Sequence, residues 1–117
     1  MNLGRIDHAI DKFENVKKSI LKEIVYDNPL VFVNVCNQLG NCYLSKQFLR
    51  PALENFEHSI AMIIKLEEDI DCADQLRKEI SPLIAAKICL NIAIIRADVG
   101  DLIESVYMHE KSLEYKL

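Results

Sequence analysis

The spacing of the apolar residues constrains the fold of this chain more than any other feature of its sequence. Apolar side chains recur every one, three or four residues, and no stretch bounded by turn signals alternates between apolar and polar. The first stretch comprises Ile6, Ala9, Ile10, Phe13, Val16, Ile20 and Ile24. Such spacing places the residues on one face of an α-helix, whereas a strand needs a period of two. The sequence therefore predicts an all-α protein.

Proline and glycine residues divide this pattern into separate helices. Pro29 and Pro82 follow Asn28 and Ser81, which can cap a helix, and proline is tolerated in a first helical turn. Gly100 can close a helix in the left-handed conformation. We predict five main helices, over residues 6–26, 29–45, 49–66, 82–99 and 102–117, with a short extra helix between 67 and 80.

Composition and charge limit the class of protein. Half of the 117 residues are apolar and 27% are charged, with three Gly and three Pro, which is typical of dense regular structure in one domain. The net charge of −4 disfavours a nucleic acid as the partner, because the phosphate backbone attracts clustered Lys and Arg. A protein partner fits this charge better.

The cysteines and the apolar runs bear on localisation. Cys36, Cys42, Cys72 and Cys89 lack the Cys-x-x-Cys spacing of zinc and redox sites, so we interpret them as buried free thiols in a reducing compartment. No stretch approaches the roughly 18 uncharged residues of a membrane span, and the amino terminus lacks a long apolar core. We expect no membrane association and a cytoplasmic location, with the nucleus left open.

An internal repeat is visible when the chain is aligned with itself at an offset of 53 residues. The offset places identical residues together at Pro29 and Pro82, Leu30 and Leu83, Cys36 and Cys89, Leu49 and Leu102, Glu57 and Glu110, and Ser59 and Ser112. An offset of 43 matches the first helix to the third. Three copies of one helix type are thus present with two of its partner type.

The clearest copy of the repeat resembles a known family. Residues 39–43 read Leu-Gly-Asn-Cys-Tyr and residues 52–56 read Ala-Leu-Glu-Asn-Phe. This resembles the tetratricopeptide repeat, whose Leu-Gly-x-x-Tyr and Ala-x-x-x-Phe motifs lie in successive helices. The resemblance implies antiparallel helix hairpins stacked as a short right-handed superhelix. The implied single domain comprises a half repeat over 1–26, repeats over 29–66 and 82–117, and an acidic linker or short helix over 67–81.

The resemblance also implies a binding groove. First helices of such repeats line a concave face, where asparagine commonly binds the main chain of a peptide through its paired donor and acceptor. The candidate groove residues are Asn34, Asn37, Asn41, Lys87 and Asn91. The alternative interpretation is that these are ordinary solvated side chains on helix surfaces.

No arrangement typical of catalysis or metal binding is found. His8, His58 and His109 lie in separate helices without a second ligand at helical spacing, and Gly-rich phosphate loops are lacking. The acidic stretch over 67–74 is interpreted as a solvated face, with attraction of a basic partner as the alternative. We therefore expect no enzyme activity, no cofactor and no metal.

The leading hypothesis is a non-catalytic adaptor or scaffold that binds a peptide or helix of another protein in a concave helical groove. The alternative is a structural segment that forms a homo-oligomer or a larger assembly through unpaired terminal helices. A small helical enzyme or ligand-binding bundle would need a pocket with converging polar groups, which the sequence does not indicate.

Overall fold

The structure, a computed structural model, describes residues 3–22 and 29–117, and every regular element in these ranges is an α-helix. This confirms the all-α prediction. The six helices within the described residues are α1 (Leu3–Lys22), α2 (Pro29–Ser45), α3 (Leu49–Glu68), α4 (Ile70–Glu79), α5 (Pro82–Asp98) and α6 (Leu102–Lys116).

The predicted helix boundaries agree closely with the observed ones. α2 begins and ends where the sequence indicated, and α3 extends two residues beyond Leu66. The short extra helix is present as α4, which has ten residues. The predicted end of the first helix at Tyr26 and the cap at Asn28 lie outside the described residues.

Side-chain caps and one glycine explain where the later helices begin and end. The Ser81 hydroxyl accepts a hydrogen bond from the Leu83 amide at 3.2 Å, ahead of Pro82 in the first turn of α5. Gly100 follows α5 with a φ of 87°, the left-handed conformation that was predicted for it. Local sequence signals therefore set these helix ends.

The chain divides into two compact units, Met1–Ser59 and Ile60–Leu117, with the boundary inside α3. Unit 1 contains α1, α2 and the first part of α3. Unit 2 contains the remainder of α3 with α4, α5 and α6. Each unit is described by itself.

In unit 1, α2 and the first part of α3 run antiparallel and approach closely. The Ser59 hydroxyl donates to the Val33 carbonyl oxygen at 2.9 Å. Nearer the connection, a Cβ atom at Gly40 would lie 2.6 Å from Cε1 of Phe56, whose side chain is fully buried. Only glycine leaves room for the ring at this crossing, because the buried ring fills the space that a side chain would need.

Polar side chains attach α1 to this pair of helices. Lys17 Nζ donates to Asn55 Oδ1 at 2.9 Å, and the Tyr43 hydroxyl donates to Glu14 Oε1 at 3.0 Å. Burial, followed by this hydrogen bond, raises the pKa of Tyr43 to about 12. The phenol therefore stays protonated and continues to donate to Glu14 across the physiological range.

In unit 2, α5 and α6 run antiparallel and are held by two buried serines. The Ser105 hydroxyl donates to the Ala93 carbonyl oxygen and the Ser112 hydroxyl to the Ala86 carbonyl oxygen, both at 2.7 Å. The buried residues of α5 are Ala85, Ala86, Ile88, Cys89, Ile92, Ala93 and Ile95. The three alanines let the helix backbones approach, so the serines can reach the carbonyl groups.

The two antiparallel pairs share contacts at positions 53 residues apart. Ser59 and Ser112 make the same hydroxyl-to-carbonyl bond, and their acceptors, Val33 and Ala86, have the same offset. Outside glycine, the one positive φ within the described residues is the 62° of Gln47, at the position that matches Gly100. We call α2 with residues 49–59 the first hairpin and α5 with α6 the second hairpin.

The cysteines were predicted to be buried free thiols, and the structure supports burial for two of them. Cys36 and Cys89, a matched pair at the 53-residue offset, are buried, and burial raises the pKa of each thiol to about 11. Cys42 and Cys72 are partly exposed, so the prediction of burial is wrong for them. Thiols of raised pKa are mostly protonated near neutral pH and react slowly.

A sharp bend separates α4 from α5. The Ile80 amide donates to the Leu76 carbonyl oxygen at 2.8 Å and ends α4, and α5 leaves at 88°. Within residues 3–22 and 29–117, no single helix is both long and apolar enough to cross a membrane, and α4 and α5 reach that length and apolar content only when they are joined across the bend.

Candidate interaction surfaces

Three of the predicted groove residues lie on one side of α2. At 100° per residue, Asn34, Asn37 and Asn41 fall within about 60° of arc. Asn34 is exposed, and Asn37 and Asn41 are partly buried. Gln38 and Ser45, both exposed, share this side. We call these five residues the α2 amide face, which is uncharged and polar along its length.

The amide groups on this face have unused hydrogen-bonding capacity. No side-chain hydrogen bond within the described part of the chain involves Asn34, Asn37 or Asn41. Each primary amide offers two donor hydrogens and one acceptor oxygen, which matches the alternating N–H and C=O groups of an extended main chain. The arrangement can therefore bind a peptide backbone without a charge on either side.

The other two predicted groove residues lie on the outward side of α5. Lys87 is exposed and Asn91, one turn later, is partly buried. Three exposed apolar side chains surround them on the same side of the helix: Leu83, which is 65% exposed, Ile84 and Ile94. We call these five residues the α5 outer face. It combines apolar area with one central cation.

The structure places the five predicted groove residues in two groups, one in each unit. Asn34, Asn37 and Asn41 share the α2 amide face of unit 1, whereas Lys87 and Asn91 share the α5 outer face of unit 2. A common groove lined by both sets stays a prediction. The sequence did not indicate the apolar surroundings of Lys87, because α5 is apolar on nearly every side and has no evident polar face.

Unit 2 also contains a cavity of about 230 Å³ that the sequence did not indicate. It is lined by Ile63, Glu67, Ala73, Leu76, Arg77, Ile80, Ser81, Pro82, Ala85 and Tyr115. Its walls are mostly apolar, and an apolar cavity of about 150 Å³ is already large enough to hold benzene. One unused signal in the sequence could have located this region: the repeat offsets of 43 and 53 differ by ten residues, the length of α4.

The charged and phenolic side chains at the cavity have partners within unit 2. The Tyr115 hydroxyl donates to Glu67 Oε1 at 2.5 Å, and Arg77 lies 3.7 Å from Asp74. Burial, followed by the hydrogen bond to Glu67, raises the pKa of Tyr115 far above its usual range. The cavity therefore offers a carboxylate and a protonated phenol beside apolar walls.

α6 exposes apolar residues on the side that faces away from α5. Its buried residues are Ser105, Met108 and Ser112, and the apolar series Leu102, Val106 and Leu113 is exposed together with Ile103 and Tyr107. Sequence periodicity did not identify the buried side, because two of the three buried residues are serines. Those serines are inside because their hydroxyls bind α5 carbonyl groups.

The histidines have different environments. The His58 ring stacks on Phe32 with 6.5 Å between ring centroids, and burial, followed by the nearby Lys17, lowers its pKa. His8 and His109 are exposed. Across residues 3–22 and 29–117, no three His, Cys, Asp or Glu side chains are grouped so that they could hold a metal ion.

Comparison of the chain with protein-family models, with curated proteins and with solved structures finds no match. The interaction surfaces described above therefore carry the functional argument.

Proposed function

We propose that this protein is a non-catalytic adaptor or scaffold that binds a peptide or helix of a partner protein. The observation that carries the proposal is the α5 outer face, where Leu83, Ile84 and Ile94 stay exposed around Lys87. Exposed apolar side chains that lie together on one surface are typical of interaction sites. A partner that buries them gains hydrophobic free energy, and an acidic group on the partner can pair with Lys87.

The α2 amide face contributes a different kind of contact. Asn34, Asn37 and Asn41 present donors and acceptors at helical spacing and can hold the main chain of a bound segment. Hydrogen bonds to main-chain groups are independent of the partner's side chains. In this proposal, the α2 amide face binds main-chain groups of a partner segment, and the α5 outer face binds apolar side chains.

A tetratricopeptide-type arrangement of hairpins in a single domain, and a cytoplasmic location, form part of the proposal. The resemblance of residues 39–43 and 52–56 to the family motifs supports the arrangement. The matched serine contacts and the matched left-handed residues at the 53-residue offset also support it. In such arrays, each hairpin contacts its neighbours and leaves one face for ligands.

Selection from a random peptide library tests this function without a known partner. The purified chain is immobilised, peptides are selected, and the affinity of each is measured by fluorescence anisotropy. Asn37→Ala combined with Asn41→Ala should weaken binding about tenfold, since each lost hydrogen bond contributes about 0.5–1.5 kcal/mol. Ile94→Ser should weaken it as well, because it removes apolar contact area.

The matched control is Asn15→Ala, which removes an exposed amide from α1 outside both faces. It should leave the affinity unchanged. Peptides that bind the Asn37→Ala/Asn41→Ala and Ile94→Ser variants as tightly as the wild type would contradict the proposal, and so would the recovery of no binding peptide.

A second candidate function is a structural segment that assembles copies of the chain or extends a larger assembly. The exposed apolar residues of α6 favour it, because an unpaired helix face of this kind can be buried by association. Sedimentation equilibrium distinguishes the two functions: a monomer at tens of micromolar would count against self-assembly.

A further inference from the structure

The outward side of α6 forms an apolar patch beside acidic residues. Ile103 is 88% exposed, and Leu102, Val106, Tyr107 and Leu113 are each more than half exposed. Five such side chains on one helix amount to an area on the order of 500 Å², the upper range for the largest patch on a typical monomer, where patches are often functional. We call these five residues with Glu110 and Glu114 the α6 outer face.

The matched positions on α3 show that part of this face can be buried. Leu113 is 60% exposed, but Ile60, 53 residues earlier, is only 6% exposed. Leu53, which matches Val106, is also partly covered. Three other matched positions are exposed on α3: Arg50, Glu54 and Ala61. The part of the face that contains Val106 and Leu113 is therefore the part that a helix of this type can bury, and on α6 both side chains are exposed.

The carboxylates define what kind of segment can cover the face. Glu110 and Glu114 are exposed and lie seven and eleven residues after Ile103, within about 20° of it around the helix. On α3, the residue that matches Glu110 is Glu57, which is partly buried and takes part in a polar interaction. A covering segment should likewise supply a polar partner to Glu110.

The lysines of α6 do not meet this need. Lys111 Nζ lies 5.8 Å from the centroid of the Tyr115 ring, and Tyr115 is about 120° from Ile103 around the helix. Lys116 projects about 140° from Ile103 around the helix. A second copy of the chain that presented its own α6 outer face would bring two further carboxylates and no lysine. The charge therefore favours a different, basic partner over self-pairing.

We propose that the α6 outer face binds an amphipathic helix of another protein whose apolar stripe is bordered by lysine or arginine. The apolar residues of that helix cover Ile103, Val106 and Leu113, and its cations pair with Glu110 and Glu114. This surface is separate from the α2 amide face and the α5 outer face, so the inference does not depend on the adaptor function proposed above; it competes with self-assembly through α6.

Two model helices of about 18 residues, five turns each, provide the probes. One has a leucine stripe bordered by lysines, and the other has the same stripe bordered by glutamates. Isothermal titration calorimetry of the whole chain should show that the lysine helix binds about tenfold more tightly than the glutamate helix. Equal affinities, or no binding of the lysine helix, would overturn the proposal.

Charge reversal on the face should exchange the two preferences. Glu110→Lys combined with Glu114→Lys should weaken the lysine helix about tenfold and make the glutamate helix the better ligand. The matched control is Glu68→Lys with Glu79→Lys, which changes the net charge equally at the last residues of α3 and α4, where lysine suits the helix dipole. If the control weakens the lysine helix as much as the reversal does, binding is general electrostatic attraction and the proposal is wrong.

Removal of apolar area from the α6 outer face tests the hydrophobic part of this proposal. Ile103→Ser with Val106→Ser should weaken the lysine helix about tenfold and leave the circular dichroism spectrum unchanged, because both side chains are exposed. Sedimentation equilibrium of the wild type tests whether a second copy of the chain occupies this face instead. A dimer that dissociates upon these substitutions would identify a second copy on this face and overturn the proposal. Peptides selected for the α2 and α5 faces should bind this variant normally, which separates this result from the test of the proposed function.

Discussion

The two hairpins use the same construction with different side chains at the helix crossing. In each, a serine of the second helix donates to a carbonyl group of the first, Ser59 to Val33 and Ser112 to Ala86. At the crossing, the first hairpin pairs Gly40 with a buried Phe56, whereas the second has Ala93 at the matched position. The residue that matches Phe56 is the exposed His109. Ala93 is tolerated on α5 because α6 has no buried aromatic ring at the position that matches Phe56.

The outward sides of the first helices differ as well. The α2 amide face is polar and uncharged, whereas the α5 outer face is apolar around Lys87. The inner sides of α2 and α5 are alike, since Cys36 and Cys89 are both buried. The comparison shows that packing restricts the inner residues and leaves the outer ones free to differ. It also shows which substitutions should have unequal effects in the two hairpins.

The largest expected difference between the hairpins concerns Phe56 and the matched residue His109. Phe56→Ala should lower the free energy of unfolding by about 3–5 kcal/mol, because it leaves a cavity in a fully buried site. His109→Ala should change it by less than about 0.5 kcal/mol, since the imidazole is exposed. Urea unfolding followed by circular dichroism measures both. Similar losses at the two positions would mean that the hairpins do not differ at the crossing as described.

The next effect concerns the small residue opposite the ring. Gly40→Ala should destabilise the protein by about 1–3 kcal/mol, although alanine favours helix, because its Cβ would overlap the Phe56 ring. In a Phe56→Ala background, the same change should be neutral or stabilising, because the ring is absent. A double-mutant cycle of urea unfolding isolates this coupling. A coupling energy near zero would show that Phe56 moves aside without cost.

Sequence reasoning succeeded where the controlling signal is local. Pro29, Pro82 and Gly100 set helix ends through backbone geometry that depends on neighbouring residues alone, and the observed helices follow them. Sequence reasoning could not give the orientation of α6, because Ser105 and Ser112 are buried by hydrogen bonds to another helix. Periodicity in one helix carries no information about such partners.

The candidate surfaces follow the same division between local and long-range signals. The shared side of Asn34, Asn37 and Asn41 follows from helical spacing alone and could be predicted. The cavity depends on four helices that come together in unit 2, so no single segment indicated it. Gln47 was predictable in principle, because the 53-residue offset places it on Gly100 and both have a positive φ.

The two serine bonds provide a test in which the hairpins should behave alike. Ser59→Ala and Ser112→Ala should each lower the free energy of unfolding by about 1 kcal/mol, because each removes one buried hydrogen bond to a carbonyl oxygen. Equilibrium urea unfolding gives both values, and His109→Ala serves as an exposed reference on the same helix as Ser112. A loss confined to one hairpin would show that the matched bonds are not energetically equivalent.

The smallest expected effect concerns the residue that closes each first helix. Gln47 has a φ of 62°, a conformation that costs a residue with a Cβ about 1–2 kcal/mol and glycine much less. Glycine also has a larger conformational entropy in the unfolded chain, which offsets part of the gain. Gln47→Gly should therefore stabilise the protein by about 0.5–1 kcal/mol, seen as a higher urea midpoint.

The reverse change, Gly100→Gln, isolates the backbone contribution in the second hairpin. No atom lies within 4 Å of the position that a Cβ would occupy at Gly100, so a loss of stability there cannot come from a clash with neighbouring residues. It should lower the free energy of unfolding by about as much as Gln47→Gly raises it. If Gly100→Gln is costly and Gln47→Gly brings no gain, then contacts of the Gln47 side chain, rather than its backbone, stabilise the turn of the first hairpin.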